Sequence, residues 1–248
     1  MAKPFTELKT AQELKERLDK PFWHTRKHVS HYTNIDALLC ILNDKKLKFS
    51  SFKDTNDRLE YKLINEETNK KRIFCVMGSS EENFGMWAMY GGLAAKPTET
   101  EKLNEILKNT FVKIKIPVSS LKKFVNEEKL HASAVAYTKL SAPSIPEKML
   151  CFFGSRSNKN IPFDKNILSG YIKDVAWKYE HEIRIWSESE YVHISDDFIN
   201  SLEVFPSPII TLDECRNLLK KDKRYQNVES ILDNILKENR YQGSFFRN

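Results

Sequence analysis

The residues best suited to chemistry lie close together, between residues 175 and 186. A period of two puts the charged side chains of Glu180, Glu182 and Arg184 on one face of a strand. The opposite face then carries Trp177, Tyr179, His181, Ile183 and Ile185. The pattern predicts a half-buried strand, and its charged face is either a binding or catalytic surface or an ordinary solvated one.

These charged side chains permit two kinds of chemistry. A carboxylate such as Glu182 can stabilise positive charge that grows in a transition state. Arg184 would keep Glu182 ionised if the two were paired, or it would only neutralise a crowded carboxylate pair. Alternatively, Glu180 and Glu182, about 7 Å apart on one strand face, form the acid/base pair of a hydrolase if a substrate fits between them.

The composition is that of a folded protein with a small excess of positive charge. Hydrophobic residues make up 40% of the chain, which is enough for a core, and the net charge of +6 weakly favours anionic partners. No run approaches 18 apolar residues, and the N-terminal residues lack the apolar segment of a signal peptide. We therefore expect a cytoplasmic protein with no membrane partner.

Several common kinds of site have no support in the sequence. The chain has only seven glycines and no glycine-rich phosphate loop, which disfavours the usual folds that bind dinucleotides or nucleoside triphosphates. It also lacks the serine-hydrolase nucleophile elbow and the His-Glu-x-x-His zinc motif. Its four cysteines are scattered without paired spacing, so neither a metal site nor a disulfide framework is expected.

Helical and strand periodicities alternate along the chain and predict one α+β domain over residues 1–248. A helical leader is expected within residues 1–28, a helix at 35–44 that Asn34 can cap, and helices at 81–90, 98–109, 119–128 and 196–202. A helical extension within 211–248 is expected to hold two helices, near 211–222 and 227–239. Strands are predicted at 29–33, 46–51, Arg72–Met77, Phe111–Pro117, 134–138 and 191–194. Arg72–Met77 is a continuous apolar run expected to be a central strand, Phe111–Pro117 alternates, and 191–194 is expected to be the hairpin partner of 175–186. Residues 141–168, with three prolines, are expected to form an irregular excursion near a site.

Six further candidate binding residues lie outside the charged stretch: His31, Tyr32, Thr33, Asn56, Trp87 and Tyr90. Each has an ordinary structural explanation. A histidine on a strand is most often a structural hydrogen-bonding group, and aromatic residues three positions apart on a helix most often belong to the core. Their order along the chain is more informative than any one of them.

Four short motifs follow one another: His-Tyr-Thr, Asn-Asp-x-x-Glu, Met-Trp-x-x-Tyr and Trp-x-Tyr-Glu-x-Glu-x-Arg. Over about residues 29–210 this series resembles the DUF2971 family of bacterial proteins, whose function is undefined. That family in turn looks, more distantly, like the ADP-ribosyltransferase fold. The resemblance implies small twisted mixed sheets that face each other across a cleft for NAD, with peripheral N- and C-terminal helices.

The resemblance also implies roles for individual residues. Glu182 would act at the glycosidic ribose, His31 would hold the ribose hydroxyls, and Glu180 would handle the acceptor. Tyr90 would stack on the nicotinamide. The full expected set for binding NAD is His31, Tyr32, Thr33, Asn56, Trp87, Tyr90 and Arg184.

Two functions follow from this resemblance. The first is an NAD-dependent ADP-ribosyltransferase that modifies protein or nucleic acid, of the kind found among bacterial toxins and phage-defence effectors, which can have a neutralising partner protein. The alternative is a catalytically inactive module of the same fold that binds a nucleotide or nucleic acid.

Overall fold

Strands and helices alternate along the computed structural model, which describes residues 27–54, 66–78, 83–90, 102–138 and 170–239. The strands are β1 (His28–Asn34), β2 (Lys46–Lys48), β3 (Ser50–Ser51), β4 (Arg72–Met77), β5 (Phe111–Pro117), β6 (His131–Ala134), β7 (Ala136–Thr138), β8 (Ile172–Asp174), β9 (Glu182–Ser187), β10 (Tyr191–His193) and β11 (Glu203–Pro206). The helices are α1 (Ile35–Asp44), α2 (Glu66–Asn69), α3 (Phe84–Met89), α4 (Leu103–Asn109), α5 (Val118–Glu127), α6 (Asp196–Asn200), α7 (Leu212–Lys220) and α8 (Tyr225–Ile235). Short 3-10 helices occupy Phe52–Asp54 and Val175–Glu180. The α+β class is confirmed.

Three predictions fall outside the described residues. They are the leader helix as far as residue 26, the candidate ligand Asn56 and the excursion at 141–168. Among the helices that the structure does describe, none is long and apolar enough to cross a lipid bilayer.

The chain forms two compact units. The first unit takes its described residues from Lys48–Gly78 and Val125–Val192. The second unit takes them from Lys27–Leu47, Ser79–Phe124 and His193–Asn248. The single domain expected over residues 1–248 stays a prediction.

The first unit is built around β9. This strand pairs antiparallel with β4 on one side and with β6 on the other, while β3 pairs antiparallel with β4. The apolar run of β4 was predicted to be a central strand, and four of its six residues are buried. Since β9 has a partner along both edges and all six of its residues are buried, its polar groups must find partners inside the unit.

The predicted half-buried strand at 175–186 is wrong in two respects. Its first half, Val175–Glu180, is a 3-10 helix that ends at His181 in the left-handed region (φ 44°), so only Glu182–Ser187 is a strand. The face of Glu182 and Arg184 is buried, not solvated. Asp174 explains the turn, because its side chain accepts a hydrogen bond from the Ala176 amide at 2.9 Å and caps the 3-10 helix. The hairpin prediction is also wrong, since β9 pairs with β4 and β6 rather than with β10.

The second unit contains an antiparallel sheet in the order β11-β5-β1. Directly opposed residues share a face of such a sheet. One face is an apolar core made by Val29, Val112, Ile114, Ile116 and Val204, each no more than 3% exposed. This alternation is the one predicted for β5.

Helices of the second unit begin where the sequence places capping residues. The Asn34 side chain accepts a hydrogen bond from the Ala37 amide at 2.8 Å, as predicted for the start of α1. Thr211 and Glu214 form a reciprocal capping box at the start of α7. Before α8, the Arg224 guanidinium lies 2.7 Å from Asp36 on α1, so this C-terminal helix is held to the unit's first helix. The two predicted C-terminal helices are thereby confirmed.

Candidate active site

Four charged side chains from three successive elements meet inside the first unit. Lys173 comes from β8, Glu180 from the end of the 3-10 helix, and Glu182 and Arg184 from the start of β9. None of these side chains is more than 6% exposed. We call these four residues the buried charge cluster.

The cluster is a continuous chain of charge-assisted hydrogen bonds. The Lys173 ammonium lies 2.5 Å from Glu180 Oε2 and 3.0 Å from Glu182 Oε2. Arg184 Nε donates to Glu182 Oε1 at 2.7 Å, and its Nη2 lies 3.2 Å from Glu182 Oε2. Two cations and two carboxylates therefore balance in charge, which burial of ions requires.

Neutral groups complete the shell around these charges. The Tyr137 hydroxyl accepts a hydrogen bond from the Glu182 amide at 2.7 Å, and Arg184 Nη1 donates to the Gly170 carbonyl. The Arg184 guanidinium lies over the Phe52 ring at 5.5 Å, and the Lys173 ammonium over the Trp177 ring at 5.0 Å. These are cation–π contacts that further stabilise buried cations.

Gly170 is required by this close packing. A Cβ atom at position 170 would meet Trp186 Cη2 at 2.2 Å and Phe52 Cζ at 2.8 Å. Neither ring can retreat easily, because Trp186 is itself 4% exposed and Phe52 is fully buried. A glycine therefore lets the backbone come near enough for its carbonyl to receive Arg184.

The cluster drives the two carboxyl pKa values apart. Burial raises the pKa of Glu180 to about 7, although Lys173 opposes the rise. Burial would also raise the pKa of Glu182, but the Arg184 guanidinium and the Lys173 ammonium outweigh it and hold the pKa well below its usual range. Burial and the charge of Glu182 raise the pKa of both Cys75 and Tyr137 well above ordinary values. The pairing expected between Glu182 and Arg184 is thus present.

This geometry does not suit the inverting hydrolase considered above. Both Oε2 atoms lie within hydrogen-bond distance of one ammonium, at 2.5 Å and 3.0 Å, so they are closer together than the roughly 6.5 Å that an inverting pair needs at minimum. Lys173 also occupies the space where a substrate would have to lie. A pair with separated pKa values can still divide the roles of acid/base and electrostatic stabiliser.

The candidate ligands of the second unit fall into two groups. Tyr32 packs edge-on against Trp87, with ring centroids 4.9 Å apart, and stacks on Tyr90 at 6.4 Å. Trp87 is fully buried, which agrees with its structural interpretation. His31 and Thr33 lie on the other face of β1, because neighbouring residues on a strand point to opposite sides. The expected binding set is therefore divided between the two faces of one strand.

Sequence reasoning missed a second pair of charged side chains, Lys113 and Lys115 on β5, of which Lys113 is buried next to Tyr32. Lys113 of β5 stands between Tyr32 and Phe205 in register, and its ammonium lies 5.1 Å from the centre of the Phe205 ring. Lys115 lies 5.9 Å from the same ring and 2.7 Å from Glu203. The alternation of β5 indicates a polar face, but no local pattern around Lys113 predicts that the Phe205 ring of β11 lies beside it.

It also missed Lys173, Tyr137, Cys75 and Gly170 of the first unit. One signal was available, since Lys173 directly follows the apolar pair Tyr171-Ile172, and a lysine in such a run needs a partner when it is buried. Within the described ranges, the first unit included, no group of three or more His, Cys, Asp or Glu side chains could hold a metal ion.

Two comparisons of the sequence with known proteins found no relative. No model of a known protein family matches the chain, and no curated protein matches it either.

Proposed function

We propose that the chain binds NAD and transfers its ADP-ribose group to an acceptor, with Glu182 as the carboxylate that faces the reacting ribose. One observation supports this most: two neighbouring carboxyl groups have opposite pKa shifts, with Glu182 kept ionised and Glu180 titrating at a pKa of about 7. This is the division of roles that a glycosyl transfer requires.

The proposed reaction breaks the bond between the ribose C1′ and the nicotinamide nitrogen. The bonding electrons leave with nicotinamide and neutralise its ring, while positive charge grows on the ribose. Glu182, which Arg184 keeps negative, stabilises that charge more in the transition state than in the ground state. The acceptor then bonds to C1′, and ionised Glu180 takes the proton that the acceptor releases.

The resemblance also implies that His31 with Thr33 would hydrogen-bond ribose and that Tyr90 would offer a ring to the nicotinamide. His31 and Thr33 lie on the opposite face of β1 from Tyr32 and its stacking partner Tyr90, so the proposal keeps only the aromatic residues. The stacking of Tyr32 on Tyr90 and the contact of Tyr32 with Trp87 support these three as one aromatic group. The acceptor remains protein or nucleic acid, and a role as a toxin or phage-defence effector with a neutralising partner protein is part of the same proposal.

A specific observation favours the second candidate function, a nucleotide-binding module without turnover. Both oxygens of Glu182 already accept hydrogen bonds from Arg184 and Lys173. A ribose hydroxyl would have to displace one of these donors before it could bind. In a module without turnover, the cluster would only hold β8, the 3-10 helix and β9 together.

The decisive experiment measures NAD binding by calorimetry and nicotinamide release by chromatography on the same purified protein. The test variant is Glu182→Gln, and the matched control is Glu188→Gln, whose side chain is 82% exposed just beyond the same strand. Circular dichroism confirms that both variants are folded. We expect release by the wild type and the control, and a loss on the order of 10² to 10³-fold in Glu182→Gln with NAD binding retained.

Other outcomes decide between the alternatives. NAD binding without nicotinamide release, in wild type and variant alike, would support the binding module. A folded wild-type protein that neither binds NAD nor releases nicotinamide would rule out both NAD proposals.

A further inference from the structure

The turn between α7 and α8 of the second unit concentrates positive charge. Residues 220–224 read Lys-Lys-Asp-Lys-Arg, and Arg216 lies one helical turn before Lys220 on the same side of α7. Lys220, Lys221 and Lys223 are exposed, and Arg216 is half-buried. We call Arg216, Lys220, Lys221 and Lys223 the basic turn.

Ion pairs do not neutralise the basic turn. Within the described ranges no carboxylate lies at ion-pair distance from any of its four cations, and Asp222 inside the turn is bonded to Arg224 at 2.8 Å instead. The other acidic residues of the two helices lie in the first turn of α7 or beyond the first turn of α8, at Asp213, Glu214, Glu229 and Asp233. The basic turn therefore keeps an excess of positive charge, which agrees in sign with the net charge of +6 of the whole chain.

The fold holds the basic turn in place through its last residue, Arg224. Arg224 Nη2 donates to Asp36 Oδ1 on α1 at 2.7 Å and to Asp222 Oδ2 at 2.8 Å. Asn43 Nδ2, also on α1, donates to the Arg224 carbonyl at 3.3 Å. The Tyr225 amide donates to the Asp222 carbonyl at 3.0 Å and closes the turn. Because the backbone is anchored to α1, a partner that binds the exposed lysines has less of the chain to order.

Arg216 adds a guanidinium that packing already positions. Its Nε atom is enclosed and has no hydrogen-bond acceptor among the described residues. Its Nη atoms are not enclosed, so they reach solvent with their N–H donors available. A guanidinium presents these donors in a planar fork that matches the oxygens of a phosphate group.

We propose that the basic turn binds the phosphate backbone of nucleic acid without reading its sequence. Phosphate oxygens are contacted by Lys and Arg together with amide side chains, and Asn217 and Gln226 are exposed amides beside the lysines. The exposed residues between 216 and 227 are all polar, so this surface offers no apolar anchor for a membrane or for a hydrophobic protein interface. The proposal goes beyond the proposed function, because it needs neither NAD nor the buried charge cluster.

Fluorescence anisotropy with a labelled DNA duplex, in the absence of NAD, tests this proposal. The test variant combines Lys220→Gln, Lys221→Gln and Lys223→Gln. We expect the logarithm of the wild-type association constant to fall with the logarithm of the salt concentration with a slope of about −3 to −4. The test variant should bind at least about tenfold more weakly at about 50 mM salt, with a slope of about −1. Arg216→Gln alone should make the slope shallower by about one.

A control variant separates the basic turn from the overall charge of the chain. It replaces three exposed lysines elsewhere in the second unit by glutamine, so that it loses the same net charge, at Lys46, Lys108 and Lys122. Circular dichroism confirms that all variants are folded. The control should keep the wild-type slope and an affinity within about threefold of the wild type, because its lysines lie outside the surface that touches phosphates.

Three results would overturn the proposal. They are a wild type that does not bind the duplex, equal losses in the test and control variants, and displacement of the duplex by polyglutamate as readily as by unlabelled DNA of equal charge. The last result would assign the basic turn to an acidic protein partner instead. Nicotinamide release without duplex binding would rule out the basic turn as a nucleic-acid site and leave the proposed function standing.

Discussion

Two strands with similar alternating sequences, β5 in the second unit and β9 in the first, place Lys115 and Arg184 in very different surroundings. On β5, the Lys115 side chain keeps 24% of its surface exposed and pairs with a partly exposed Glu203. On β9, Arg184 is fully buried and bonds to a buried Glu182. The difference teaches that alternation predicts which residues share a face, while the elements that cover this face decide whether its charged side chains are exposed or buried.

The largest expected effect comes from breaking the buried pair of Arg184 and Glu182. Arg184→Met removes the bidentate partner of Glu182 and the donor to the Gly170 carbonyl, leaving a buried carboxylate that only Lys173 neutralises. We expect urea unfolding to show a loss of about 3 to 5 kcal/mol. Lys115→Met on β5 is the matched control, and it should cost less than about 1 kcal/mol. Equal losses in the two variants would contradict the comparison.

The next effect is the pH dependence of stability. Glu180 binds its proton more tightly in the folded than in the unfolded chain, so its contribution is present below pH 4.5 and is lost as pH rises to about 7. Relative to Glu180→Gln, the free energy of unfolding of the wild type should fall by roughly 3 kcal/mol over that range. Parallel pH profiles of the two proteins would show that the carboxyl is not buried as described.

Gly170 offers a smaller test of how tightly the interior is packed. Gly170→Ala places a methyl group against the rings of Trp186 and Phe52, and thermal unfolding should show a loss of about 1 to 3 kcal/mol. Gly85→Ala, at an exposed position of α3, should instead gain about 0.5 to 1 kcal/mol, because alanine favours a helix more than glycine does. Changes of the same sign at both positions would argue against the steric explanation.

The smallest expected effect lies in the second unit. Asn34→Ala removes the side-chain cap of α1, and urea unfolding should show a loss of about 1 kcal/mol. Asn34→Ser, which keeps a capping oxygen, should recover most of it. If serine and alanine cost the same, the cap is not what residue 34 contributes.

Local signals predicted much of the fold. The cap at Asn34, the strands β1, β4 and β5 and the helices near α3 to α8 follow from periodicity and capping residues that act within a few positions. The 175–186 stretch shows where such reasoning fails. Its alternation continues through residue 180, but Asp174 caps a 3-10 helix there and His181 turns the chain before β9 begins.

The candidate site likewise has residues that the sequence predicted and residues that only the structure revealed. The sequence by itself determined that Glu182 and Arg184 share a face, that Glu180 stands nearby and that the chain is α+β. Only the tertiary structure decided that Lys173, Tyr137, Cys75 and Gly170 surround them, because these residues come from strands and a loop 9 to more than 100 positions away in the chain. The physical reason is that hydrogen bonding and backbone preferences act locally, whereas burial, and with it the opposite pKa shifts of Glu180 and Glu182, depends on every element that excludes water from the cluster.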